Sequence, residues 1–338
     1  MFEVEGGNIG VGCKPYIIAE VGINAWSDVR LAKRFIEVAS EAGADAVKFQ
    51  THLADAEMVE SEMRSMGAGD VYDTVVQCEW SVEDHYELQA HATAHDITFL
   101  STPFSVEAVD VLDEIGVPAI KIGSGEMNNR CLVERAAETG KPLLVSTGMN
   151  TISDIVETCA FLDDVAEEYA LLYCVSAYPS RPEDFDFGTI GQLQEIAGDP
   201  VGFSDHSVGV EAAKVAIGNG ASIIEKHFTI DRRLPGPDQE VSIEPDELSD
   251  LSGYADLFYE TSGVREGVQE EEEEVRKWAQ HSIVAREDIG KGEVIDKGSI
   301  TTKRPGSGVS AERYSEVVGS TAKVDIFKGD IFEEKFFD

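Results

Sequence analysis

The sequence predicts an α/β chain: a (β/α)8 TIM barrel followed by a small C-terminal β-rich domain. Three observations predict it. Short apolar runs alternate with helical patterns eight times over about 230 residues, the rhythm of a parallel barrel more than of an open doubly wound sheet. The runs turn abruptly polar at their ends, as in IIAEVGIN, AVKFQTH, FLSTPF, AIKIGSGE, GFSDHS and IIEKHFT. In a parallel barrel such strand ends gather at the C-terminal mouth, where chemistry is done. Past residue 280 the rhythm stops, and short strands and turns take over.

The elements follow in order. Strands are expected at Tyr16–Ala19 and Ala46–Phe49, with a helix at Val29–Ala42 between them. The segment Thr51–Trp80 is too long for one loop and shows no clear helical pattern, so it is read as a flap over the mouth. Then come helix Val82–His95, strand Thr98–Ser101, helix Val106–Ile115 and strand Ala119–Ile122. Strand Leu143–Ser146, helix Ile152–Asp163, strands Ala170–Cys174 and Val201–Phe203, helix Val210–Asn219 and strand Ser222–Glu225 complete the set. Gly43, Gly116, Gly140 and Gly220 stand where helices should end. The barrel is assigned to residues 1–262. Residues 263–280, with five consecutive glutamates at Glu270–Glu274, are an acidic linker or solvated helix face, because like charges repel and stay hydrated. Residues 281–338 form the β domain. There DIGKGEVI and DIFKGDIF repeat one pattern, each with a Lys-Gly turn between two β-like runs, which suggests two pseudo-equivalent halves.

Composition narrows the function classes. Among 338 residues, Lys plus Arg number 27 against 65 Asp plus Glu, a net charge of -38. Such a surface repels phosphates, so nucleic acid is not an expected partner. The acid is spread along the chain, a pattern suited to strong salt, where the Debye length falls to about 3 Å at 1 M. The five cysteines are scattered with no CxxC pair, as in a reduced, cytoplasmic protein. No signal peptide and no apolar stretch of membrane-spanning length is expected.

The chemistry centres on His206 and His227. They lie 21 residues apart, about one strand–helix–strand step, at two neighbouring strand ends. A lone histidine is more often a satisfied core imidazole. Two so placed, each beside an acid (Asp205, Glu225), point to a shared divalent metal completed by water, Mn²⁺ or a similar ion. A structural zinc site would want four closed ligands. Lys48 and Lys121 end apolar strands and should point into the mouth, where two ammonium groups suit a carboxylate or phosphate. A Schiff-base lysine is the rival reading. Ser124, in a GSGE turn, and Thr102 add hydroxyls and backbone N–H groups. The turn is not a dinucleotide fingerprint. Glu20, Glu126 and Asp238 are the carboxylates expected to hold hydroxyls or move a proton.

Together these residues resemble the sialic acid synthase family, which condenses phosphoenolpyruvate with an N-acetylated mannosamine-type sugar. IIAEVGIN, VKFQT, STPF, KIGSGE, STGM, SAYP, GFSDHS, EKHFT and GPD occur in the family's order. The tail resembles the antifreeze-like SAF domain, a β-clip-like fold, that follows the barrel there. The resemblance implies that phosphoenolpyruvate sits against Lys48, Thr102, Lys121, Ser124, Ser176, Tyr178 and Ser204. It implies that the sugar meets Glu20, Asn24, Glu126, Asp238 and Arg304. His206 and His227 would hold the metal, Mn²⁺ with Mg²⁺ or Co²⁺ as alternatives. Catalysis would fall to Glu20, Lys48, Lys121, Glu126 and Asp238. It also implies a domain-swapped homodimer, with Arg304 reaching the N-acyl group in trans.

Several positions depart from the family pattern, and those at Asn24–Ser27 lie near the sugar side. GPDQ stands for the frequent GPDH, and Ala25-Trp26 follows Asn24 where many members read His-Glu or His-Asn. Ser176 stands where Asn is common, Tyr173 where His is, and HSI replaces RSI at the start of the tail. The acceptor therefore stays open between N-acetylmannosamine and a dideoxy-diacetamido sugar leading to a legionaminic or pseudaminic acid. A 6-phosphorylated acceptor would want extra cations near the mouth, and no such cluster is evident. The more distant readings are a Schiff-base aldolase and a catalytically silent sugar-binding protein.

Overall fold

The computed structural model describes residues 2–5, 7–198 and 200–338. The chain folds as two compact units, Met1–Gly263 and Val264–Asp338.

The first unit opens with an antiparallel hairpin, β1 (Phe2–Val4) and β2 (Gly7–Ile9). Eight parallel strands follow: β3 (Tyr16–Gly22), β4 (Ala46–Thr51), β5 (Thr98–Pro103), β6 (Ile120–Ile122), β7 (Leu143–Ser146), β8 (Tyr169–Cys174), β9 (Val201–Asp205) and β10 (Ile223–His227). Their spatial order, β5-β4-β3-β10-β9-β8-β7-β6, ends on two chain-consecutive strands that lie side by side. The sheet is thus a near-closed (β/α) barrel. Every strand expected from the sequence is present, most of them running one to three residues further at one end.

Period-two alternation explains the interior. Side chains on one face of each strand meet the helices, as Ile17, Val47, Phe99, Ile120, Val145, Leu171, Phe203 and Ile224 do. The other face fills the barrel with Ile18, Ala46, Leu100, Ala119, Leu144, Leu172 and Ile223. Val4, Ile9 and Tyr16 join this cluster, so the hairpin plugs the end where the strands begin. On β9 the interior position is Gly202, because a Cβ there would stand 2.7 Å from the Cβ of Ile223 and 3.1 Å from Leu172.

The expected helices are all found, including Val29–Glu41, Val82–Ala94 and Ile152–Val165. Ser81 and Thr151 cap the second and third through capping boxes with Asp84 and Asp154. Helices Arg130–Ala137, Gly188–Ala197 and Pro245–Thr261 complete the ring. The segment read as lacking helices is corrected: Thr51–Trp80 holds three short ones, Ala54–Glu57, Glu60–Ser65 and Gly69–Val76. They share a small core of Ala54, Tyr72 and Val75. A four- to eight-residue helix carries too few turns to leave a periodic signature.

In the second unit the glutamate run starts a helix, Glu270–Ala279, that buries no residue. Strands β11 (Ser282–Ala285) and β12 (Ile300–Lys303) pair antiparallel. The repeated motifs face one another. Ile289 and Ile326 exchange both backbone hydrogen bonds, at 2.8 and 2.9 Å. The Asp325 carboxylate accepts from the Lys291 N–H and that of Asp288 from the Lys328 N–H, each at 2.8 Å. The two motifs are therefore equivalent in these contacts. Both loops turn on a glycine in the left-handed region, Gly292 and Gly329. Ile283, Ile289, Ile300, Ile326 and Phe332 form the core. All five cysteines are free thiols, and no helix among the described residues is long and apolar enough to cross a membrane.

Candidate active site

The alternation that fills the barrel also builds the site. Two residues beyond each interior apolar position, the next inward side chain is polar or a thiol: Glu20, Lys48, Thr102, Lys121, Ser146, Cys174, Ser204 and Glu225. All eight line a cavity of about 330 Å³ at the C-terminal ends of the strands. Gln50, Ser124, Glu126, Ser176, Tyr178, His206 and His227 complete its polar wall, and Phe104 and Met149 its apolar side.

At the floor two ammonium groups and two carboxylates lie together, each nearly inaccessible to water. Lys48 Nζ is 2.8 Å from Glu20 Oε2 and 3.6 Å from Glu225 Oε2, and it donates to Thr102 Oγ1 at 2.8 Å. Lys121 Nζ donates to Ser146 Oγ at 2.7 Å and to the Ile122 carbonyl, with Glu225 Oε1 at 3.9 Å. Ser204 Oγ donates to that same Glu225 oxygen at 2.9 Å. Burial opposes charge on all four groups, and the neighbours decide the outcome. Burial raises the Glu20 carboxyl to about 7, with Lys48 opposing and Glu225 adding to the rise. Glu225 also resists burial, but Lys121 and Lys48 together pull it below the usual carboxylate value. Burial would lower Lys48, yet Glu20 and Glu225 hold it above an ordinary lysine. Lys121, with more distant anions, is lowered by burial despite Glu225. Glu225 thus carries the fixed negative charge, and Glu20 exchanges a proton near neutrality.

The histidines stand above this floor, with ring centroids 5.5 Å apart. His206 Nδ1 donates to the Val175 carbonyl at 2.9 Å. A carbonyl only accepts, so that nitrogen holds a proton, and Nε2 lies 2.8 Å from the Tyr178 hydroxyl. Burial opposes charge on His206, but Cys174 and the Val175 carbonyl hold it above the usual histidine value. His227 is pushed well below the usual histidine value by burial and by the nearby cations, so it is neutral. Its Nδ1 is buried without a hydrogen-bond partner, 3.7 Å from Asp238 Oδ2. Burial also raises the Asp238 carboxyl. The donor set fits a divalent cation: two imidazoles, that of His227 neutral with an orphaned nitrogen, in a site where Glu20, Glu126, Glu225 and Asp238 outnumber two ammonium groups. Two imidazoles supply two ligand atoms, and water or substrate oxygens would complete the coordination of such an ion.

Most of the residues singled out from the sequence meet here. Glu20, Lys48, Thr102, Lys121, Ser124, Glu126, Ser176, Tyr178, Ser204, His206 and His227 all line the cavity. Burial raises the Glu126 carboxyl, with Lys121 opposing. Asp238 borders an adjoining hollow with Tyr178. Asn24 lies behind the wall: its amide accepts from the Asp238 N–H at 3.2 Å and donates to Ser242 Oγ at 3.1 Å, so it anchors the loop that carries Asp238. Asp205 faces outward, where its carboxylate pairs with the buried Lys226 at 3.0 Å. Arg304 belongs to the second unit; there its guanidinium lies over Trp278, 5.5 Å from the ring centroid, and Nε donates to the Ala279 carbonyl. Gln50, Ser146, Cys174 and Glu225 were not among the candidates, though counting two residues along each strand finds all four. Gln50 Nε2 donates to Glu20 Oε1 at 3.0 Å. Gly148 is a further constraint, because a Cβ there would run into the hydroxyls of Ser176 and Ser124.

Known proteins share this architecture. Residues 35–265 match the model of the NeuB family and residues 280–337 that of the SAF domain. An N,N'-diacetyllegionaminic acid synthase of Campylobacter jejuni is 34% identical over 333 residues, 95% of this chain and 99% of that protein. An uncharacterised protein of Methanocaldococcus jannaschii is 37% identical over 326 residues, 96% of this chain and 94% of that one. The crystal structure of an N-acetylneuraminic acid synthetase from Leptospira borgpetersenii, in complex with citrate, superposes with a TM-score of 0.74 at 34% identity, over 81% of this chain and 94% of that one.

Proposed function

The chain belongs to the NeuB family and ends in a SAF domain, and on that premise we propose that it is a nonulosonic acid synthase condensing phosphoenolpyruvate with the open-chain form of an N-acylated amino sugar. The observation that carries the proposal is the cavity floor, where two buried lysines and a ring of hydroxyls face two imidazoles. Lys48 and Lys121 neutralise the carboxylate and phosphate of phosphoenolpyruvate, and Thr102, Ser124, Ser176, Tyr178 and Ser204 give them hydrogen bonds. His206 Nε2 and His227 would hold a divalent metal, Mn²⁺ in our reading. When bound, that ion supplies Lewis-acid polarisation of the aldehyde oxygen.

The reaction joins C3 of the enol ether to the aldehyde carbon, and the aldehyde oxygen gains a proton. Glu20, buried and poised near neutrality, suits that proton transfer. Water then adds to C2, its proton passing to a carboxylate for which Glu126 is our assignment, and phosphate departs with cleavage of its C–O bond. Asp238 orients a sugar hydroxyl. Closure of the flap residues over the cavity would keep bulk water from the intermediate. Family likeness adds a homodimer in which Arg304 of the second subunit meets the N-acyl group.

N-acetylmannosamine is the acceptor in the first reading, which the likeness to the Leptospira synthetase supports. The Campylobacter relative supports a second, a dideoxy-diacetamido sugar. Lys48 and Lys121 are the only cationic side chains lining the described cavity besides its histidines, which disfavours a phosphorylated acceptor. Phosphate release from phosphoenolpyruvate with Mn²⁺ in molar KCl, each sugar offered separately, tests the proposal. Release with one sugar, lost in His206→Ala, supports it and names the acceptor. Release from none, by folded protein, refutes it.

A further inference from the structure

On the outside of the barrel, three metal-ligating side chains converge where helix Val29–Glu41 packs on helix Val82–Ala94. Glu37, His91 and His95 each place a ligand atom within 4.8 Å of the other two, and all three are half-buried. We propose that they form a second metal site, distinct from the mouth of the barrel, that binds a borderline divalent transition ion such as Zn²⁺ through two imidazoles, one carboxylate and water.

Several features suit this. His91 and His95 are four residues apart, one helical turn, so their side chains project from the same face. Their ring centroids are 4.6 Å apart. His91 Nε2 lies 3.3 Å from Glu37 Oε1, where an ion would replace the shared proton. The other oxygen, Oε2, accepts from Arg34 at 2.8 Å, which orients the carboxylate as an outer partner does for a metal ligand. The His95 carbonyl accepts from Ser40 Oγ at 2.7 Å, tying the end of the second helix to the first. Ligands on two packed helices are preorganised. Two nitrogens and one oxygen select Zn²⁺, Co²⁺ or Ni²⁺ over Mg²⁺, which prefers oxygen alone. That selectivity matters in a chain with 65 acidic residues, whose carboxylates would attract Mg²⁺ and K⁺ as counterions. A bound ion would clip the first helix of the barrel to the second, and it does not depend on the reaction proposed above.

The test is zinc binding to chelator-treated protein in molar KCl with excess Mg²⁺, counted as bound metal per chain. His91→Asn, His95→Asn and Glu37→Gln are compared with wild type and with His206→Ala. The expected result is that His91→Asn and His95→Asn lose one equivalent, its affinity falling about 100-fold or more, while His206→Ala keeps it. Co²⁺ bound to His206→Ala should show visible d–d absorption that disappears when His91→Asn is added. Circular dichroism and phosphate release unchanged in His91→Asn establish that the fold and the mouth are intact. Zinc bound equally by wild type and by folded His91→Asn and His95→Asn would overturn the proposal, as would a wild-type protein whose only equivalent is lost in His206→Ala.

Discussion

Replacing Glu20 with Gln should shift stability in favour of the variant, relative to wild type, as pH rises from acid to alkaline. Glu20 is buried at the barrel floor, and its carboxyl is raised from 4.5 to about 7 in the folded protein. In the unfolded chain it ionises freely. Below 4.5 the group is protonated in both states and contributes no cost. Between 4.5 and 7 the unfolded state releases the proton first, so rising pH favours unfolding. Above 7 the loss is complete and constant. At roughly 1.36 kcal/mol per pH unit the gap amounts to about 3 kcal/mol. Gln keeps the shape but cannot ionise; with its oxygen on Gln50 its NH2 meets the Lys48 ammonium, a cost that does not change with pH and leaves the pH dependence intact. Lys48 retains Glu225 and Thr102. Urea unfolding of both proteins in molar KCl with chelator, at about pH 4 and pH 8, measures the effect. The stability of E20Q minus that of wild type should rise by about 3 kcal/mol across that range. A difference that is flat with pH, or falls, would refute the assignment of Glu20 as the proton-exchanging carboxylate.

Lys226→Met leaves the Asp205 carboxylate buried without its cation and should cost about 3–5 kcal/mol in urea unfolding; adding Asp205→Asn should recover much of it. On the function proposed above, Lys121→Met removes a charge-assisted hydrogen bond to the substrate anion, about 1.5–3 kcal/mol, so kcat/KM for phosphoenolpyruvate should fall about 10- to 100-fold with circular dichroism unchanged. Raising KCl from about 0.1 to 1 M shortens the Debye length from about 10 to 3 Å, so the unfolding temperature of a chain with net charge -38 should rise rather than fall.

The barrel was legible because its strands are short and apolar and alternate with helical stretches, and because polar residues interrupt each at one depth. Lys48, Lys121, His206 and His227 stand out in sequence since a buried charge or imidazole after an apolar run is costly without a purpose. Glu225 was less visible: it reads as an acid beside a histidine, and only the alternation along β10 turns it inward with His227 while Lys226 turns out. Asp205 misleads for the same reason, being adjacent to His206 but on the opposite face. Asn24 shares a motif with Glu20, yet past the strand end the alternation lapses and the chain turns, so its amide holds a loop instead of lining the cavity. Helix Gly188–Ala197 carries two glycines that weaken its propensity, and buried Ile190 and Leu193 hold it in place. That stabilisation is tertiary and leaves little local trace.

The most direct test of the central claim uses phosphoenolpyruvate labelled with ¹⁸O in the bridging C–O–P position. The enzyme, Mn²⁺ and the accepted amino sugar are supplied, and both products are analysed by mass spectrometry. Condensation with C–O cleavage predicts one labelled phosphate for each nonulosonic acid formed, the acid taking its C2 oxygen from water. Label retained in the acid, or phosphate released without a new C–C bond, would contradict the account.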